Sequence, residues 1–355
     1  MRLILLLFSL CCSSVALPQL RGATDDALRY HDLVNAAERA FLAHRDSSCY
    51  PLYDEAFRVH RPFLKDPYIA AQIAFSLRDT ARFLGYLQVG FRHGMPLTAV
   101  EAAPLFRGHL SPDLRAAIRQ RFASAKALTM MDPVLRDTIC AMCYRSDSIK
   151  LSMGRDPAQL ERFLQEEMRT RRFLLDSFLV HGRFINEQVL GISSDAVWND
   201  FLRRTGRKDP YAMPGLPAMA MQEELELRLK CPLNIVLHGN CFFQQHWALF
   251  EQALRNGTLH PKDFAILEET SVLWYKKPDA EHESCPPPVL RSAYYNIFHG
   301  PADRTYVNTP EGLAEVERNR AAIHLQTYAA DEEKLRLERA EGFAFFFDFV
   351  DRPGR

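Results

Sequence analysis

Six times along the chain a small polar residue stands directly before a proline: Asp66-Pro67, Ser111-Pro112, Asp132-Pro133, Asp156-Pro157, Asp209-Pro210 and Thr309-Pro310. This punctuation constrains the fold more than any other feature. A proline at the first helical position loses nothing, because the N–H it lacks has no partner there. The residue before it accepts from the next free N–H groups. Thr98 with Glu101 adds a capping-box pattern. Apolar residues keep helical time between these marks. Ala27, Tyr30, Val34, Ala37 and Phe41 step by three and four, as do Leu114, Ile118 and Phe122, and Leu135, Ile139 and Met142. The expected fold class is all-α.

Between 24 and 126 the pattern predicts six short helices, over 24–45, 49–60, 67–77, 79–93, 98–106 and 111–126. Their short connections make sequential helices antiparallel neighbours. Asp156-Pro157 opens a long helix to about Val180, and Ser193-Ser194 caps a short one carrying Val197, Trp198, Phe201 and Leu202. Arg203 to Pro217 reads as a loop whose basic cluster is a solvated turn. Asn256-Gly257 stops one helix and His260-Pro261 starts the next. Residues 278–308 are the least regular, with Pro278, Pro286-Pro287-Pro288 and Gly300-Pro301. Thr309-Pro310 begins a charged helix towards Glu341. Phe343, Phe345, Phe347 and Phe349 then alternate with other residues, which suggests a short strand or an extended strip docked on the body.

Three spans result: 1–16 as a signal peptide, 17–130 as an N-terminal helical array, and 131–355 as a helical C-terminal domain. The first rests on Arg2, the apolar run Leu3 to Cys12, and a small-x-small tripeptide ending at Ala16. The run is too short to span a bilayer of about 30 Å. The expected location is therefore outside the cytoplasm, periplasmic or secreted, with no transmembrane segment in the mature chain. Cys11 or Cys12 offers a lipid attachment point, but Leu10 is bulky where such a signal wants a small residue. The six cysteines beyond Ala16 (Cys49, Cys140, Cys143, Cys231, Cys241 and Cys285) permit disulfides in an exported chain. They are too few to build the scaffold.

Lys plus Arg and Asp plus Glu both number 44, so no charge excess exists to drive counterion release, and a nucleic acid is not an expected partner. Tyr50 to Phe57, Asp66-Pro67-Tyr68-Ile69-Ala70-Ala71 and Thr80 to Phe91 resemble degenerate tetratricopeptide helix pairs, where small and large residues interlock. Leu237-His238-Gly239-Asn240, the helix to Asn256-Gly257, and Leu259 to Leu267 resemble a domain of exported bacterial proteins. There a helix with a recurrent histidine precedes a Gly-x-Leu-x-Pro-x-x-x-Ala-x-Leu segment, often after tetratricopeptide-like helices. The chain departs from it at Arg145–Lys150 and Tyr294–Gly300, where that family carries Asp-Gln-x-x-Arg and Tyr-Gly-Thr-Gln runs. The resemblance implies a helical domain and supplies no activity.

Chemistry-bearing residues are few. Cys140-Ala-Met-Cys143 sits inside a helix begun at Asp132, not at a helix start where a thiol pKa falls. Cys231, His238, Cys241 and His246 are candidate zinc ligands by type, without the spacing of a known zinc module. His238 or His246 could serve as base to a Cys241 nucleophile. His282-Glu283-Ser284-Cys285 lacks the second histidine of a zincin, and no phosphate loop, nucleophile elbow or dinucleotide motif occurs, so no cofactor is expected. The expected function is binding of a protein or peptide in a groove between helices. The alternative is a hydrolase-type enzyme centred on the C-terminal histidines.

Overall fold

The computed structural model describes residues 20–101, 103–125, 132–152, 157–190, 195–208, 236, 241–273, 294 and 309–345. The signal peptide expected over 1–16, the 278–308 connection except Tyr294, and the caps Asp156, Ser193, Ser194 and Asp209 lie outside them. The fold is all-α, and no strand occurs among the described residues. The helices are α1 (Leu20–His44), α2 (Tyr50–Val59), α3 (Lys65–Ser76), α4 (Thr80–Arg92), α5 (Leu97–Glu101), α6 (Pro112–Ser124), α7 (Pro133–Ser152) and α8 (Pro157–Ser177). Then follow α9 (Glu187–Leu190), α10 (Asp195–Thr205), α11 (Phe242–Gln245), α12 (Trp247–Arg255), α13 (Pro261–Leu273), α14 (Pro310–Ala322) and α15 (Tyr328–Glu341).

Local chemistry sets most starts. Ser111 accepts from the Leu114 N–H at 3.2 Å, Asp132 from Val134 and Leu135 at 3.0 and 2.9 Å, and Thr309 from Gly312 at 3.1 Å. Each satisfies an N–H that the first turn leaves free. Asp66 differs. Helix α3 begins one residue earlier, at Lys65, and Asp66 is fully buried. Its carboxylate accepts from the Tyr30 hydroxyl and pairs with Lys65 at 2.6 Å. A tertiary contact has taken the group that a cap would use. Thr98 likewise lies within α5 rather than before it.

Two further expectations need correction. Arg203 and Arg204 end helix α10 rather than open a loop, and Arg204 makes two bonds of 2.7 Å to Asp137 on α7. The charged helix from Thr309 is two helices. It breaks at His324, whose φ is 57°, and Thr327 caps the restart by accepting from Ala330 at 3.3 Å.

Consecutive helices pack on each other: α1 on α2, α3 on α4, and α7 on α8. Hydrogen bonds from Arg145 to Glu166 and from Ser146 to Glu167 fasten the last pair. Two apolar cores result. The first joins helices α1 to α6, with Tyr53, Phe83 and Phe106 at its centre. The second joins α7, α8 and α9 with α11, α12 and α13, around Phe243, Phe250 and Phe264. The division falls near residue 130, with one exception. Leu337, Phe343 and Phe345 complete the first core from the far end of the chain. The expected extended strip is present through Phe345. It is fixed by side-chain bonds, because Gln72 on α3 both donates to the Ala344 carbonyl at 2.8 Å and accepts from its N–H at 2.7 Å. Phe347 and Phe349 lie outside the described residues.

Gly257, after α12, joins the two halves. Its φ is 68°, and a Cβ there would lie 2.5 Å from the Ala27 Cβ and 2.9 Å from a His60 ring nitrogen. Gly257→Ala is expected to cost about 1–2 kcal/mol from the left-handed backbone alone. A urea midpoint unchanged from the parent would show that neither the turn nor the contact with α1 is constrained.

Candidate functional site

The histidine–cysteine set expected in the C-terminal half lies only in part among the described residues. Cys231 and His238 lie outside them. Cys241 is buried and Cys143 half-buried, and each takes part in a disulfide. A sulfur held in that bond is neither a thiolate nucleophile nor a metal ligand. Cys140 remains a free thiol, so the Cys140–Cys143 pair is not a bridge. Burial raises the pKa of Cys140, and it pushes Cys49, also a free thiol, up to about 12. Neither is primed for attack.

His246 sits between α11 and α12 with its ring against Phe242 at 4.9 Å, and burial lowers its pKa. No carboxylate or thiol hydrogen-bonds its ring among the described residues. The carboxylates nearby in sequence serve other partners. Glu268 and Glu269 are buried in α13. Glu268 accepts from the Trp247 indole N–H at 2.7 Å, and Glu269 accepts from the Tyr294 N–H at 2.7 Å. No group of three His, Cys, Asp or Glu among the described residues is placed to hold a metal ion.

Polar side chains converge elsewhere, on a cavity of about 40 Å³ at the junction of the two halves. Helix α1 supplies His31 and Glu38, α3 supplies Lys65, the start of α13 supplies His260 and Lys262, and α15 supplies Asp331 and Lys334. His324, Leu325 and Gln326, in the break between α14 and α15, close one side. Ionic pairing holds the walls. Lys334 pairs with Glu38 and lies 3.6 Å from Asp331. Arg320 reaches Asp331 from behind and donates to the carbonyls of Gln326 and Tyr294.

Burial alone would raise the pKa of Asp331, but Lys262, Arg320 and Lys334 overcome it and hold the carboxyl at about 2. Burial would also discharge Lys334, yet Glu38 and Asp331 keep its pKa above the ordinary lysine value. His31 has no such support. It is 3% exposed, and its Nε2 finds no hydrogen-bond partner among the described residues. Burial, followed by the nearby Lys65, His60 and His324, drives its pKa well below 6.5, so it is neutral at pH 7. Its ring meets His260 edge-on, with centroids 5.1 Å apart.

A second concavity opens on the N-terminal half alone. It has a volume of about 430 Å³ and lies where α4 and α6 begin. Phe75, Leu105 and Leu114 give it apolar walls, and Arg78 and His109 give it basic ones. Ser76 and Thr80 complete the lining, so no carboxylate faces it. Arg78 is exposed, with a φ of 59° that carries the chain from α3 into α4. At the same end the Asp79 carboxylate caps α4, accepting from the Arg82 N–H at 3.0 Å, and so answers the partial charge of that helix start.

Sequence reasoning named none of the residues lining either concavity as a site. The cavity left a legible trace on α1. His31 and Glu38 share the helix stripe of Tyr30, Val34, Ala37 and Phe41, and a polar residue on a buried stripe needs a partner. Comparison of the chain with protein-family models, with curated proteins and with solved structures finds no match in any of the three.

Proposed function

We propose that this chain is an exported helical protein whose N-terminal array, tetratricopeptide-like in its pairing of helices, binds a peptide segment of a partner protein. The groove between Phe75, Leu105 and Leu114 is the observation that carries the reading. Its size matches a few side chains, not a large folded surface. Its charge selects among peptides. With Arg78 and His109 on its walls, and no carboxylate among its described lining residues, it favours a segment that alternates apolar side chains with acidic ones. Disulfides at Cys143 and Cys241 support a location outside the reducing cytoplasm. No helix among the described residues is long and apolar enough to cross a membrane.

The test uses two labelled decapeptides, one alternating Leu with Asp and Glu, the other alternating Leu with Lys. Fluorescence anisotropy should report saturable binding of the acidic peptide and at least tenfold weaker binding of the basic one. Arg78→Glu should weaken the acidic peptide by about tenfold, equivalent to 1.4 kcal/mol. Arg78 is on the surface, so the variant keeps its fold. Equal binding of both peptides, or an Arg78→Glu variant that binds as the parent does, would remove the groove from consideration.

A further inference from the structure

The two halves of the chain meet on histidine. The turn from Gly257 to Lys262, between α12 and α13, lies on the first half. Gly257 fits against Ala27 of α1 and against the ring of His60, which ends α2. One turn further along α1, the His31 ring meets the His260 ring edge-on, with centroids 5.1 Å apart. Phe63 closes on both rings, at 5.6 and 5.0 Å. His31 and His260 are both buried.

A different contact keeps each of the two histidines neutral. His260 caps α13: its Nδ1 accepts from the Lys262 N–H at 3.1 Å, so that nitrogen carries no proton. A proton there would break the cap and place a cation at a helix N-terminus, where the helix dipole opposes it. His31 lacks an acceptor instead. An imidazolium donates from both nitrogens, and the Nε2 of His31 has no hydrogen-bond partner among the described residues. The carboxylates around it already serve other groups. On α1 itself, Asp32 pairs with His324 and Glu38 with Lys334. On α3, Asp66 accepts from the Tyr30 hydroxyl and pairs with Lys65. On α15, Asp331 pairs with Arg320 and Lys334, and Glu187 of α9 accepts from the Leu64 N–H at 3.4 Å. The other neighbours are Lys65 and Lys262, with His60 and His324, which gain charge in acid.

We propose that this junction is an acid-operated latch: protonation of His31 and His260 frees the Gly257–Lys262 turn from α1 while both apolar cores stay folded. The two rings would then carry like charges at 5.1 Å, and neither could keep its present contacts. The cavity of about 40 Å³ beside them gives room for the water that a new buried charge demands. The histidines thus decide whether the two cores move as one body.

Hydrogen exchange followed by mass spectrometry, on the full chain at pH 7 and pH 5 and corrected for the intrinsic rate, tests the latch. Peptides over 256–264 should lose protection about tenfold at pH 5, while peptides from α3 and α8 keep theirs. In the double variant His31→Leu, His260→Asn the turn should be equally protected at both pH values, because asparagine accepts at a helix start without titrating. Three results would overturn the proposal: unchanged protection of the turn in acid, a loss shared equally by α3 and α8, or a loss that persists in the double variant. The first two are read on the unaltered protein and need no variant to fold.

Discussion

Arg320→Met is expected to destabilise the fold by about 3–5 kcal/mol, the cost of breaking a buried ion pair from one side. Arg320 is 1% exposed and is one of the largest fully buried side chains. Its guanidinium pairs with Asp331 and donates to two backbone carbonyls, those of Gln326 and Tyr294, the latter at 2.9 Å. Methionine fills much of the volume and makes none of these bonds. Asp331 would keep Lys334 and lose its shortest partner, and two carbonyls would be left dry. The break at 324–326 would lose its anchor, because Arg320 is what holds the Gln326 carbonyl. Urea unfolding followed by circular dichroism measures the loss. Pairing the change with Asp331→Leu should recover part of it, since the stranded carboxylate is then gone. A loss below about 1 kcal/mol for the single variant would show that the cluster relaxes freely and that Arg320 is not its keystone.

Acid is expected to weaken the protein in a window set by histidine, not by carboxylates. His31 is neutral in the folded chain and gains a proton more readily once unfolded, where its pKa returns to about 6.5. Stability from this group is therefore complete above 6.5 and falls as pH drops below it. His31 therefore binds its proton in the unfolded chain first, and stability drains away as pH falls towards its lowered folded-state pKa. His60 and His93 act in the same direction. Burial lowers both, and it takes His93 to about 4 with the help of Arg61 and Arg92. Glu167, whose pKa burial raises, returns a little stability as pH falls. Asp331, held at about 2, keeps its contribution until pH drops below the ordinary aspartate value near 4. Urea midpoints at pH 7 and pH 5 test this. The difference should shrink in His31→Leu. A profile that is flat from 7 to 5 would mean that His31 is charged or solvated in the folded state.

Helix starts were legible because they depend on neighbours in sequence. Ser111, Asp132 and Thr309 cap what their prolines announce. Asp66-Pro67 looks the same on paper, but its carboxylate is claimed by Tyr30, 36 residues away. The break before α15 carried no proline, so nothing local distinguished it from continuous helix. The polar cavity was hidden for a related reason. Its walls come from α1, α3, α13 and α15, and no short motif can encode such a meeting. What the sequence did hold was a pair of misplaced polar residues, His31 and Glu38, on an otherwise apolar stripe. Asp331 and Lys334 repeat the signal beside Ala330 and Leu337 on α15. The groove on the N-terminal half gave no comparable sign, because Phe75, Leu105 and Leu114 each read as ordinary core residues.

The strip that ends at Phe345 bears on how the molecule comes into being. Translation delivers Tyr53, Phe83 and Phe106 long before it delivers Phe343 and Phe345, yet all five share one core. Gln72 must wait, its amide unclaimed, until the backbone of Ala344 arrives. A nascent chain thus carries an open seam on its first half until residues 343–345 are delivered, and any product cut short before them emerges with that seam unclosed.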